Sequence, residues 1–198
     1  MYVVFSGTLM STARSYEPVS VEDYLAGELV SDIRHEFADG YVYAMVGGTN
    51  AHNLIAGNCF ATLHNQLEGK PCQVFNSDTR IRVLRNKAVR FYYPDAGVTC
   101  QPNPQSDLFQ DNPAVIIEVL SESTRRKDEL EKREVFCALP SMQQYILLEQ
   151  HSIAAIVYAR DDESNWSRFV CTDPDDEIFL PAIQAKLPLR TVYRGIEF

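Results

Sequence analysis

Residues 113–150 read PAVIIEVLSESTRRKDELEKREVFCALPSMQQYILLEQ. The first eight are almost wholly apolar, the pattern of a strand covered on both faces. Residues 124–139 (TRRKDELEKREVFCAL) predict a charged helix stopped before Pro140, a residue that cannot extend it. QQYILLEQ at 143–150 predicts the next strand. Strand, helix and strand thus follow one another within 38 residues, and this succession decides the fold class.

Working outward, two further runs precede this unit. CQVFNSDTRIRVL (72–84) alternates, with Phe75, Ile81 and Val83 on one face and Asn76, Asp78, Arg80 and Arg82 on the other, as a strand requires. RFYYPDAGVTC (90–100) is aromatic and β-branched, with Pro94 inside it. Before them, residues 50–68 predict a helix. Ala51, Ile55, Cys59, Leu63 and Leu67 make one apolar stripe, Thr49 or Asn50 is positioned to cap it, and Gly69 to end it. Residues 16–28 predict an extended lead and a short helix capped by Ser20, and Asp39-Gly40 within HEFADGYVYAM signals a hairpin. After the central unit, SIAAIVYAR (152–160) predicts a strand entered by a turn at Gln150-His151, and WSRFVCTDPDDEIFLP (166–181) a further hairpin. The expectation is an α/β (α+β) domain over 16–198, with a mixed central sheet flanked by helices, added N- and C-terminal β-hairpins, and a flexible extension at 1–15. Met10 is a second possible start within that extension.

The chain of 198 residues is 45% hydrophobic, enough to bury a core without a structural metal. Its five cysteines are scattered with no C-x-x-C pair, which predicts reduced thiols and a cytoplasmic location. The four histidines show no i, i+4 pairing. No run approaches the length of a membrane span, and nothing at the N-terminus has the flanks of a secretory signal. A net charge of −9 argues against coating nucleic acid through a broad basic field. It leaves room for a local site where a cation bridges protein and phosphate.

Glu118 stands inside the apolar run, and Asp95 poses the same problem in the run before it. Carboxylates are seldom fully buried unless paired or bound to metal. Two on neighbouring interior strands repel, so one takes up a proton unless a divalent cation lies between them. The plainer alternative puts Glu118 at an open strand end, solvated or paired with an arginine. Lys132 follows Asp128 by four residues. That spacing makes either a surface ion pair worth a few tenths of a kcal/mol or an ammonium aimed at a phosphate. Asp78 is either a third acid or ordinary solvated alternation. Local pattern favours a surface role for Glu36 and a cap-region structural role for His52.

Taken together, Tyr93-Pro94-Asp95, PAVIIEVLSEST (113–124), Asp128, Lys132 and LPSMQQYILL (139–148) resemble a restriction-endonuclease-like family abundant in cyanobacteria and long catalogued as a domain of unknown function. HEFADGYVYAM, the helix near His52 and Ser77-Asp78-Thr79-Arg80 add to the match, which runs in order from about residue 18 to about residue 160 and suits a single domain. That family lies in the PD-(D/E)xK nuclease superfamily, whose core is helix, three strands, helix, strand. The resemblance implies that Pro94-Asp95 supplies the "PD" and Glu118 the acid of "ExK". Leu120 stands where the lysine of that motif is expected, and the resemblance implies that Lys132 replaces it from the helix. Glu122 stands where the family usually has proline. The implied activity is a Mg²⁺- or Mn²⁺-dependent endonuclease acting on nucleic acid, with DNA the expected partner. Asp95, Glu118 and the Val119 carbonyl are the expected metal ligands. Lys132, Asp78 and Glu36 complete the catalytic set, and Arg80, Arg82 and His52 contact substrate. A homodimer is expected from the exposed strand edges. Two other classes remain open: a non-catalytic interaction module that kept the fold, and glycoside hydrolysis by the two acids, for which nothing else in the chain provides a sugar cleft.

Overall fold

The computed structural model describes residues 17–85 and 88–198. The expected extension at 1–15, with the alternative start at Met10, lies outside the described residues. In chain order the elements are α1 (Val21–Glu28), β1 (His35–Ala38), β2 (Tyr41–Ala44), α2 (Asn50–Gln66), β3 (Gln73–Asn76), β4 (Arg80–Arg85), β5 (Ala88–Tyr92), β6 (Ala96–Thr99), β7 (Phe109–Gln110) and β8 (Pro113–Leu120). A π-helical segment (Lys127–Lys132) runs into α3 (Arg133–Cys137). Then come β9 (Gln144–Glu149), β10 (Ala155–Arg160), β11 (Trp166–Cys171), β12 (Glu177–Leu180), a 3₁₀ turn (Pro181–Ile183), β13 (Ala185–Pro188) and α4 (Leu189–Val192).

The fold is a mixed α+β arrangement. A six-stranded sheet runs β11-β10-β9-β8-β6-β3, parallel only between β8 and β9. The parallel pair follows from the connection, because the π segment and α3 carry the chain back over one face between the two strands. β8 is buried along its whole length. One face, with Val115, Ile117 and Val119, packs against Ile55, Cys59 and Leu63 of α2 and against the C-terminal elements. The other, with Ile116 and Leu120, meets Val135 and Phe136 of α3 and Ile81, Val83 and Tyr92 of the second sheet. That sheet has five strands, β2-β1-β5-β4-β7, and α1 covers it through Tyr24, stacked on Phe37 and tilted against Phe91.

Local chemistry accounts for the helix starts and the first hairpin. Ser20 Oγ accepts the Asp23 N–H at 3.0 Å, and Thr49 Oγ1 accepts the His52 N–H at 3.1 Å, both N-caps. Asp39 and Gly40 take positive φ between β1 and β2, and a Cβ at Gly40 would lie 2.6 Å from that of Pro18. Glycine is therefore required there.

Four expectations are corrected. Each of the two long runs, 72–84 and 90–100, is two strands. β3 and β6 lie in the six-stranded sheet while β4 and β5 lie in the five-stranded one, so a single antiparallel ribbon is creased in the middle. On one side an Asx turn breaks the strand: the Asp78 N–H donates to Asn76 Oδ1 at 3.1 Å and the Thr79 N–H to the Asn76 carbonyl at 3.0 Å. On the other side Pro94, lacking an N–H, cannot continue the ladder. The expected helix 124–139 is instead a π segment followed by a short α-helix ending at Cys137. The C-terminal hairpin joins β12 to β13, whereas β11 extends the large sheet beside β10. Finally, Cys72 and Cys100 form a disulfide. The register Gln73↔Thr99 carries the two cysteines opposite each other one step further out. This removes the reduced-thiol ground on which a cytoplasmic location was expected. Among the described residues no helix is long and apolar enough to cross a membrane.

Candidate active site

Glu118 points to the face of β8 that looks toward the π segment. The antiparallel register Ala96↔Ile117, continued by one residue, sets Asp95 opposite Glu118. Two backbone donors bind the acids reciprocally: the Asp95 N–H reaches Glu118 Oε2 at 3.3 Å, and the Val119 N–H reaches Asp95 Oδ2 at 2.7 Å. His52 Nε2 lies 3.2 Å from the same Asp95 oxygen. Thr49 caps its backbone N–H, and its ring lies against Gly48, where a Cβ would fall 2.6 Å from His52 Nδ1. Burial alone would lower the His52 pKa, but Asp95 and the Val119 backbone outweigh it and hold the imidazole above its ordinary value.

Lys132 is buried, 5% exposed, among three carboxylates. Its Nζ lies 3.0 Å from Glu118 Oε1, 3.0 Å from Glu36 Oε1 and 3.2 Å from Asp128 Oδ1. Lys127 also reaches Glu36, at Oε2, with its ammonium over the ring of Tyr43. The π segment is what allows this. Its wider turn aligns residues five apart as well as four, so Lys127, Asp128 and Lys132 can all face inward. Tyr145 donates to the Asp128 carbonyl at 2.9 Å and braces the segment from β9.

Burial raises the Glu118 pKa well above the ordinary carboxylate value; Lys132 opposes that shift, and Asp128, Asp95 and Glu36 add to it. Burial would depress Lys132, yet Glu118, Glu36 and Asp128 together hold it raised, as a firm cation. Burial would raise Glu36, but Lys132 and Lys127 overcome it and bring Glu36 below its ordinary value of 4.5. Its stabilising contribution is therefore complete above 4.5 and lost as pH falls through the lowered value. Urea unfolding across the acid range should show a shallower acid-side decline for Glu36→Gln than for the wild type. Parallel declines would remove Glu36 from the network.

The formal charges within this group are unbalanced. Glu36, Asp95, Glu118 and Asp128 bring four negative charges, and Lys127 and Lys132 bring two positive ones. The excess is two, or one when His52 is charged. Asp95 Oδ1 accepts no hydrogen bond among the described residues, and Glu118 Oε2 accepts only the long one from Asp95. Both acids line a cleft of about 460 Å³ with Gly48, His52, Tyr93 and Lys132. With the Val119 carbonyl they offer the hard oxygen donors that magnesium takes, one or two carboxylates with water completing the shell. No group of three or more His, Cys, Asp or Glu side chains forms a ready metal cage among the described residues.

The remaining candidates divide. Asp78 sits on the exposed turn at the crease, paired with Arg34, and lines an adjoining cleft that also reaches Asp95. Arg80 is buried beneath Tyr24 and Tyr93 and lines that adjoining cleft. Arg82 lies apart from both. It is bound twice by Asp111, at 2.9 and 2.8 Å, and packed 4.1 Å over the ring of Phe109. The sequence reading did not assign Lys127 a part in the site and did not find that the Asp128–Lys132 pair is buried. Nothing in the local pattern distinguishes a π turn from an α turn.

A model of the family described as "Putative restriction endonuclease" matches residues 21–190. A Synechocystis protein described as uncharacterized is 30% identical over 189 residues, spanning 95% of this chain and 98% of the relative. A second uncharacterized Synechocystis protein is 25% identical over 151 residues, covering 75% of this chain and 84% of the relative. Among solved structures, a crystal structure described as "a putative nuclease belonging to DUF820" from Anabaena variabilis is similar in fold. Its TM-score is 0.63 at 15% identity, covering 84% of this chain and 93% of that one.

Proposed function

The chain belongs to the family described as "Putative restriction endonuclease", Uma2, and from that membership we propose that it is a metal-dependent endonuclease hydrolysing phosphodiester bonds of DNA. The observation that carries this reading is the opposed pair Asp95 and Glu118, which line one cleft and belong to a cluster of four carboxylates and two lysines. Asp95 and Glu118, with the Val119 carbonyl, would hold Mg²⁺ or Mn²⁺. When bound, such an ion supplies a Lewis acid for the phosphoryl oxygen and lowers the pKa of water at neutral pH.

The other residues support that chemistry. Lys132 sets a positive charge beside Glu118, where charge develops on the phosphate. Glu36 and Asp128 fix its ammonium. His52 orients Asp95 through Oδ2, the oxygen that also accepts the Val119 N–H. Plasmid and single-stranded DNA incubated with Mn²⁺ should be cut by the wild-type chain, and at least roughly 10²–10³-fold more slowly by Asp95→Ala, the scale on which one catalytic electrostatic group acts. Equal cutting by both proteins would identify a contaminant and overturn the assignment.

A second reading, a non-catalytic module on the same fold, draws on two observations: the net charge of −9 and the engagement of Lys132 by three carboxylates. Mn²⁺ titration separates the two. A nuclease binds the ion at Asp95 and Glu118; a scaffold has no need of it.

A further inference from the structure

Arg80 and Arg82 stand two residues apart on β4 and are treated differently. Arg82 has a carboxylate fork and an aromatic ring. Arg80 is 8% exposed, its Nη1 is buried without a hydrogen-bond partner, and among the described residues no Asp or Glu forms an ion pair with it. The guanidinium lies by the Tyr24 hydroxyl and over the Tyr93 ring, 6.0 Å from its carbon to the centroid. The nearby Glu28 is already engaged by the Tyr93 hydroxyl at 2.8 Å and by His35 through both its backbone N–H and its ring. A buried guanidinium without a fitting anion is costly, and the fold maintains one beside the active site.

Arg80 lines the adjoining cleft of about 590 Å³, with Ser77, the Arg34–Asp78 ion pair and the carboxylates of Glu28 and Asp32 among its residues. Gly47, Gly48, His52, Tyr93 and Asp95 line both clefts. The two are halves of one trough with Asp95 at the divide, Lys132 lining one half and Arg80 the other. We propose that the Arg80 half is a phosphate-binding subsite. It takes a backbone phosphate of the strand whose scissile phosphate lies at Asp95 and Glu118. The identity of that strand rests on the nuclease reading; the anion site does not. A guanidinium suits the role because its planar fork can grip two phosphate oxygens at once.

The test uses metal-free protein and a fluorescent oligothymidylate, with binding followed by anisotropy across a salt series. Arg80→Gln should bind about 10-fold more weakly at low salt, and log K against log salt should become shallower by about 0.7, the value for one single-strand phosphate contact. Arg82→Gln should leave the slope unchanged. Arg80→Lys keeps the charge without the fork, so the slope should persist while affinity falls. It also serves if Arg80→Gln does not fold. Inorganic phosphate, followed by ³¹P line broadening, should bind the wild type and not Arg80→Gln. Equal slopes and equal phosphate broadening in wild type and Arg80→Gln would overturn the subsite, as would wild-type affinity in Arg80→Lys. DNA cutting alongside those results would leave the nuclease reading intact. Phosphate binding present in the wild type and lost in Arg80→Gln, together with a wild type that cuts no DNA, would uphold the anion site and sink the nuclease reading.

Discussion

Replacing Lys132 by methionine should cost the metal-free protein about 3–5 kcal/mol of stability, the scale on which one partner is removed from a buried ionic network. Methionine keeps most of the stem's volume, so the loss reports charge rather than packing. Glu36, Glu118 and Asp128 would then face one another without the ammonium they share at 3.0–3.2 Å, and Lys127 would answer only Glu36. Urea unfolding at neutral pH measures the effect, which should shrink in acid as the three carboxylates take up protons. A loss below about 1 kcal/mol, the level of an exposed pair, would mean that the acids are already neutral. Mn²⁺-dependent cleavage should fall roughly 10²–10³-fold. Mn²⁺ affinity should hold, because Lys132 is not a ligand; calorimetry showing lost binding would overturn its assigned role.

The second large effect is expected at Glu118. Glutamine has the same shape and no charge, and the burial that raises the Glu118 pKa disfavours the charge in any case. Glu118→Gln should therefore leave the metal-free chain as stable as the wild type or slightly more so, with Lys132 retaining Glu36 and Asp128. In Mn²⁺ the two should part. A ligand that binds only the folded state at 100 times its Kd stabilises by about 2.7 kcal/mol, and the variant should gain none of it while its cleavage disappears. An equal Mn²⁺-induced rise in Tm for both proteins would remove Glu118 from the metal site. The two substitutions thus have opposite signatures: Lys132→Met is costly without metal and keeps metal binding, whereas Glu118→Gln is tolerated without metal and loses it.

Much of this arrangement was legible in the residues. The doubly apolar pattern of 113–120 marked β8, and Glu118 stood out against it. The Thr49 cap and the stripe from Ala51 to Leu67 gave α2, and Asp39-Gly40 gave the first hairpin. The illegible parts share one cause: they depend on pairing rather than on local pattern. Four consecutive polar residues, Asn76–Thr79, interrupt the alternation of 72–84, but only the sheet partners reveal that the ladder passes from one sheet to the other there. DPDD at 173–176 reads as the turn of a hairpin, yet β11 finds β10 and β12 finds β13. Cys72 and Cys100 become neighbours only once the β3–β6 register is known. At the site, the Asp128–Lys132 spacing was visible but its burial was not, because helical spacing identifies a face and not what covers it. Asp78 and Arg80 were grouped by alternation, and both line the adjoining cleft, but Asp78 stands on the exposed Asx turn while Arg80 is buried at the start of β4.

The creased ribbon has a mechanical corollary. Its inner half, β3 with β6, is locked into the broad sheet beside β8, while its outer half, β4 with β5, joins the five-stranded sheet and packs back on β8 through Ile81, Val83 and Tyr92. Asp95 sits at the fulcrum and Glu118 in the unbent neighbour. The gap between the two carboxylates is thus set at the bend itself, where the ribbon passes from one sheet to the other.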